Sequence, residues 1–218
     1  MKYSILASLT IAACAFAQQP LTITTSDGVS LAADIYGAGP RGVVLAHGGL
    51  RTKENWKEQA LVLEKAGFHV LAFDFRGFGH SKGPREDGSE PLDVLAAVYY
   101  LRSAGAKTVT VIGGSFGGEA CADAAATEPG AIDRLIELGA AGGNLPPEKL
   151  TLPKLLIVAR EDSNGAGPRL PGIRQSFARM PEPKQLLILD GNAHAQFLFG
   201  TDQSERVMKE IRRFLSAP

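Results

Sequence analysis

Apolar and polar positions alternate early in the chain and run together further in, and the two patterns predict different kinds of strand. Leu21 to Thr25 and Val29 to Tyr36 alternate around Asp27-Gly28, which predicts an antiparallel hairpin at a sheet edge. Gly42 to Ala46, His69 to Phe73 and Leu155 to Ala159 are unbroken apolar runs, the mark of strands buried on both faces. The β-branched run Thr108 to Ile112, the short run Arg134 to Gly139 and Gln185 to Leu189 add further strands. Helical spacing fills the intervals. It is read over Asn55 to Ala66, capped by Gly67, and over Pro91 to about Ser103, with Leu92, Leu95, Ala96 and Tyr99 on one face. Three more helices follow: Phe116 to Glu128, stopped by Pro129-Gly130, then Pro171 to Arg179, then about Asp202 to Leu215. Strands that alternate with helices at this interval predict a mostly parallel sheet of about eight strands covered on both faces, with ligands at the carboxyl ends of the strands.

The first stretch breaks this pattern. Lys2 precedes an apolar segment from Ile5 to Phe16 that ends Ala15-Phe16-Ala17, the small-x-small sequence of a secretory cleavage site. The segment is too short to span a bilayer comfortably, so residues 1–17 are expected to be a signal peptide. Residues 18–218 would then be one secreted or periplasmic domain. Ile11-Ala12-Ala13-Cys14 offers an alternative, a lipoprotein box that would anchor the chain through Cys14. Either way Cys121 is left without a disulfide partner, on a helix where a small packed side chain fits. With 218 residues and 44% hydrophobic content, the chain supports one well-buried core. Lys+Arg and Asp+Glu both total 23 with no long run of one sign, which argues against a nucleic-acid partner and for a small, modestly charged ligand.

The candidate chemistry sits where strands end. Thr108-Val109-Thr110-Val111-Ile112-Gly113-Gly114-Ser115-Phe116-Gly117-Gly118 is a strand that turns through glycines into a helix, with Ser115 at the corner of a Gly-x-Ser-x-Gly motif. In a chain with 25 glycines the bare motif decides little, and a second copy exists, Gly79-His80-Ser81-Lys82-Gly83. That copy is separated from its strand by Arg76-Gly77-Phe78 and followed by Pro84 where a helix should begin, so only Ser115 has the context of a nucleophile elbow. A serine needs an imidazole to take its proton and an acid to hold that imidazole. Of the four histidines, His69 lies inside a strand, His80 in the loop after it, and His47 opens the loop after Ala46. His194 follows the last strand, in a loop, and is the expected base. Glu161, Asp162 and Asp190 are the acids at hand. The histidines and Cys121 show no metal-ligand spacing, and Gly77-Phe78-Gly79 opens no helix, so neither a metal nor a nucleotide cofactor is expected.

These residues resemble the α/β-hydrolase superfamily over nearly the whole of residues 18–218: His47-Gly48-Gly49, the run Phe73 to Ser81, the elbow, and the histidine loop Asp190 to Phe197. Within it the chain is similar to the small cap-less members near dienelactone hydrolases and serine esterases. It departs from dienelactone hydrolases proper, which carry cysteine at the elbow, and from epoxide hydrolases and haloalkane dehalogenases, which carry aspartate. The resemblance implies the order Ser115, Asp162, His194, because relatives place the acid three residues past the last small residue of its strand, here Ala159. It also implies an oxyanion hole from the backbone N-H groups of Phe116 and Gly49, with Leu50 as the other candidate for the second donor. Only Ala140 to Pro153 is available where relatives insert a lid, so no cap is expected. The function implied is hydrolysis of small or short-acyl carboxylic esters through an acyl-enzyme. A thioesterase or peptidase using the same residues and a non-catalytic binding protein of this fold are the alternatives.

Overall fold

The period of two along each buried run divides the core between the faces of one sheet. In a computed structural model of the chain, residues 18–85 and 88–217 are described, so the expected signal segment and Cys14 lie outside the described residues. The strands are β1 (Gln19–Thr24), β2 (Ser30–Tyr36), β3 (Arg41–Ala46), β4 (His69–Phe73), β5 (Thr108–Gly114), β6 (Arg134–Leu138), β7 (Lys154–Ala159), the short β8 (Ser163–Asn164) and β9 (Gly167–Pro168), and β10 (Lys184–Leu189). The helices are α1 (Lys57–Lys65), α2 (Glu90–Ser103), α3 (Phe116–Thr127), α4 (Leu170–Arg179) and α5 (Ser204–Leu215). Eight strands form one sheet in the order β1-β2-β4-β3-β5-β6-β7-β10, and β8 pairs with β9 as a separate hairpin. β1 and β2 are antiparallel, as the Asp27-Gly28 turn predicts; β2 is antiparallel to β4, and every other pairing in the large sheet is parallel.

On β3, Val44 and Ala46 join the layer beneath α2, α3 and α4, with Val94, Ala97, Val111, Cys121 and Leu170. Val43 and Leu45 join the opposite layer, against Trp56, Ala60 and Leu63 and against Val207, Ile211 and Phe214 of α5. Because β3 lies between β4 and β5, the chain leaves β3 to one side, by α1, and crosses back by α2 to the other. That reversal opens a crevice at the carboxyl ends of β3 and β5. Cys121 is fully packed in the α3 layer, and burial pushes its thiol pKa well up.

Three sequence expectations change. The α2 face that reaches the core is Val94, Leu95, Ala97, Val98 and Leu101; Leu95 is buried as the sequence predicts, whereas Tyr99, placed on the same face, is 45% exposed. The helix is apolar nearly all round, so periodicity cannot choose its face. Asp93 does: fully buried, it accepts the backbone N-H and guanidinium of Arg76, which fixes the neighbouring Val94 and Ala97 inward. Second, the first crossover helix begins as a 3₁₀ turn at Lys53–Trp56 rather than as α-helix at Asn55. Third, the loop that carries His194 ends at that residue, which caps a 3₁₀ helix, Ala195–Gly200, absent from the sequence reading.

Between β6 and β7 the chain makes only one 3₁₀ turn, Pro147–Lys149. Asp123 of α3 holds this connection down by accepting the N-H groups of Asn144 and Leu145 at 2.9 Å each. No cap stands over the sheet among the described residues. No helix among them is long and apolar enough to cross a membrane.

Candidate active site

Ser115 joins β5 to α3 at φ 50° and ψ −119°, a conformation that costs a non-glycine residue about 1–3 kcal/mol. Its neighbours explain how the chain tolerates this. A Cβ on Gly113 would lie 2.2 Å from the carbonyl oxygen of Gly117, and one on Gly117 would lie 2.5 Å from the carbonyl oxygens of Ala46 and His47. Both glycines are therefore required for the start of α3 to pack against the ends of β5 and β3. The Ser115 N-H donates to Leu138 at 2.8 Å, which leaves the side chain partly exposed at the crevice. The second Gly-x-Ser-x-Gly copy is put to another use. Ser81 Oγ donates to the Asp74 carbonyl at 2.6 Å and accepts the Ala32 N-H at 2.9 Å, fastening its loop to β2.

Of the three acids, Asp162 alone reaches His194. The Asp162 side chain is 1% exposed, and its Oδ2 lies 2.7 Å from His194 Nδ1. With the ring proton on Nδ1 donated to that carboxylate, Nε2 is the free basic nitrogen. Glu161 is exposed, and Asp190 is exposed with its carboxylate 3.5 Å from Arg160 Nε. Gly139, at the end of β6, makes room for the imidazole: a Cβ there would lie 2.9 Å from His194 Nδ1. Ala195, next to the histidine, holds φ 51° without being glycine, a second strained residue beside the first.

The loop after β3 is pinned at three points. His47 is fully buried; its Nδ1 donates to the Gly48 carbonyl at 2.8 Å and its Nε2 accepts the Phe75 N-H at 3.1 Å. Burial pushes its pKa down, which keeps the ring neutral and able to do both. Gly48 N-H donates to Gln196 Oε1 at 2.8 Å, and Lys53 N-H donates to the Asp74 carboxylate at 2.8 Å. Gly48 thus has no N-H to offer a ligand. Among the described residues, the N-H groups of Gly49, Leu50 and Phe116 carry no hydrogen bond. Ser115, His194, Gly49 and Phe116 line one cavity of about 250 Å³, together with Arg51 and Arg169. A hydroxyl, an imidazole held by a buried carboxylate and unpaired N-H donors around one cavity are the parts that nucleophilic acyl transfer needs.

Residues 42–216 match the family described as the alpha/beta hydrolase fold. The chain belongs to the α/β-hydrolase family. Among curated relatives of this α/β hydrolase, the bifunctional epoxide hydrolase 2 of Sus scrofa is 38% identical over 84 residues, 38% of this chain and 15% of that protein. The 2-hydroxymuconate semialdehyde hydrolase of a Pseudomonas species is 29% identical over 187 residues, 74% of this chain and 62% of that one. The chain thus spans less than two thirds of the length of either relative. An esterase from Pyrococcus furiosus shares the fold, with a TM-score of 0.75 at 21% identity over 97% of this chain and 98% of that one. An esterase from a Rhodococcus species does so at a TM-score of 0.75 and 18% identity, over 91% and 98%.

Three residues that line the cavity of this α/β hydrolase, Gln196, Arg51 and Arg169, escape sequence reading, as does Gly139 against the His194 ring. Gln196 is 7% exposed and bridges the histidine segment to the loop after β3, across 148 positions of sequence. Nothing local announces that contact. Away from the cavity, Glu54, Asp74 and His80 bring ligand atoms within 4.8 Å of one another. The Lys53 ammonium already sits 2.8 Å from Glu54 Oε1, and the two Asp74 oxygens accept the N-H groups of Lys53 and His80. That cluster is an ion-paired anchor for two loops.

Proposed function

We propose that this α/β hydrolase cleaves small or short-acyl carboxylic esters through an acyl-enzyme on Ser115. The observation that carries the reading is the 2.7 Å contact between the buried Asp162 Oδ2 and Nδ1 of His194, which lines one cavity with the strained Ser115. In this reading His194 Nε2 takes the Ser115 proton as Oγ attacks the ester carbonyl, and Asp162 stabilises the imidazolium that forms. The oxygen of the tetrahedral intermediate is received by the N-H groups of Phe116 and Gly49; the first stands at the start of α3, where the helix dipole favours negative charge. His194 then gives its proton to the leaving alcohol and the carbonyl re-forms; a water deprotonated by the same imidazole attacks the acyl carbon, and the C–Oγ bond breaks as His194 returns the proton to Ser115 Oγ and the acid leaves. Each donor to the oxyanion contributes about 10²–10³ in rate. Opening an epoxide in the manner of the relatives so named would call for a carboxylate at the elbow, and Ser115 supplies none. The N-terminal 17 residues fit an export signal, so the reaction is assigned outside the cytoplasm.

Substrate size follows from the uncapped crevice and the cavity of about 250 Å³. Across a series of p-nitrophenyl esters, kcat/KM is expected to peak at acyl chains of roughly two to six carbons. A maximum at ten carbons or more would contradict this, because such chains need an apolar tunnel or a lid to bury them.

A further inference from the structure

Two arginines open onto the Ser115 cavity with their guanidinium hydrogens unbonded. Arg51 stands on the loop after β3, where its backbone N-H donates to the Gly48 carbonyl at 3.0 Å. Its guanidinium carbon lies 4.0 Å from the centre of the Phe197 ring, so the group is held flat by stacking while its N-H edge stays free. Arg169 stands just before α4, where its backbone N-H donates to the Asp162 carbonyl at 2.8 Å. Its Nε is 3.5 Å from Asp162 Oδ1, too far for a hydrogen bond, and is buried with no bonding partner. Neither guanidinium donates a hydrogen bond to any described residue, and no carboxylate lines the cavity. Glu119 shares a neighbouring trough with Arg169 and interacts electrostatically with it and with His194.

We propose that Arg51 and Arg169 form a carboxylate subsite, so that the preferred substrate is an ester whose short acyl or alkyl group ends in a carboxylate. This rests on the ester-cleaving reading above. A guanidinium presents five donors in a fixed fork that matches a carboxylate, and two arginines whose guanidinium donors lack protein partners line this one cavity. Asp162 and Glu119 both act on Arg169, which leaves Arg51 as the guanidinium with no carboxylate beside it, and one free fork matches a single carboxylate. The rival role for Arg169 is to steady Asp162, and the two roles differ in what they change. A subsite acts on anionic substrates through KM, whereas a prop for Asp162 acts on kcat for every substrate.

The test compares p-nitrophenyl butyrate with the mono-p-nitrophenyl ester of glutaric acid, which share a leaving group and differ by the terminal carboxylate. The wild-type protein is expected to favour the glutarate ester by about 10–100-fold in kcat/KM, mainly through KM, as charge-assisted hydrogen bonds would give. Arg51→Gln is expected to remove at least about tenfold of that preference, Arg169→Gln to do likewise, and Arg51→Lys to lose only part of it, since charge remains and the fork does not. Equal kcat/KM for the two esters in the wild type, or variants that lower both esters in parallel, would overturn the subsite while leaving ester hydrolysis standing. If neither ester is turned over, the ester reading fails and the subsite is judged by binding of free glutarate, followed by calorimetry. Binding that Arg51→Gln abolishes would support the subsite, and absence of binding to the wild type would overturn it.

Discussion

Ser115→Ala is expected to lower kcat towards short p-nitrophenyl esters by about 10⁶, to the level left when the nucleophile of a serine hydrolase is removed. The melting temperature should stay close to that of the wild type, because the hydroxyl makes no hydrogen bond that the fold depends on and alanine keeps the same Cβ in the same strained conformation. The elbow is built by its glycines and by the Ser115 N-H donating to Leu138, and neither changes in the variant. Circular dichroism and thermal melts beside the kinetics separate loss of chemistry from loss of structure. Retention of more than about 1% of wild-type kcat would place the nucleophile elsewhere, since only a hydroxyl on Ser115 leads to the acyl-enzyme in this scheme.

Asp162→Asn carries the second-largest expected effect, a fall in kcat of up to about 10⁴ with the fold retained. The asparagine side chain fills the same buried space, yet it takes away the charge that stabilises the imidazolium and favours the wrong tautomer of His194. Glu161→Gln and Asp190→Asn, made alongside, should each cost about tenfold or less, because both carboxylates are exposed and neither touches the imidazole. A large loss in Glu161→Gln with Asp162→Asn active would mean that the acid is supplied by another rotamer of the turn after β7.

The sheet and the elbow were legible in the sequence because their signals are local. Unbroken runs such as Val43-Val44-Leu45-Ala46 alternate between two buried layers, and their shortness and β-branched residues favour a strand over a buried helix segment. The count of three residues past Ala159, which the family resemblance implies, reaches Asp162 because β7 does end at Ala159, and a tight turn follows, with Asp162 N-H donating to the Ala159 carbonyl. What local pattern cannot carry is a choice made by a distant partner. The inward face of α2 is set by Asp93 meeting Arg76, and the order of the histidine segment is set by Gln196 meeting Gly48. Arg51 and Arg169 read in the sequence as ordinary loop cations, and only the closing of the β3 loop and the start of α4 around Ser115 brings them to one cavity.

The central claim is that Ser115 is an activated nucleophile in the folded protein, and active-site labelling tests it without reference to any substrate. The folded protein should react with a fluorophosphonate probe to one equivalent, and tandem mass spectrometry should map the adduct to Ser115, with no adduct on heat-denatured protein or on Ser115→Ala. Absence of labelling on the folded protein, or an adduct mapped to Ser81 instead, would contradict the account.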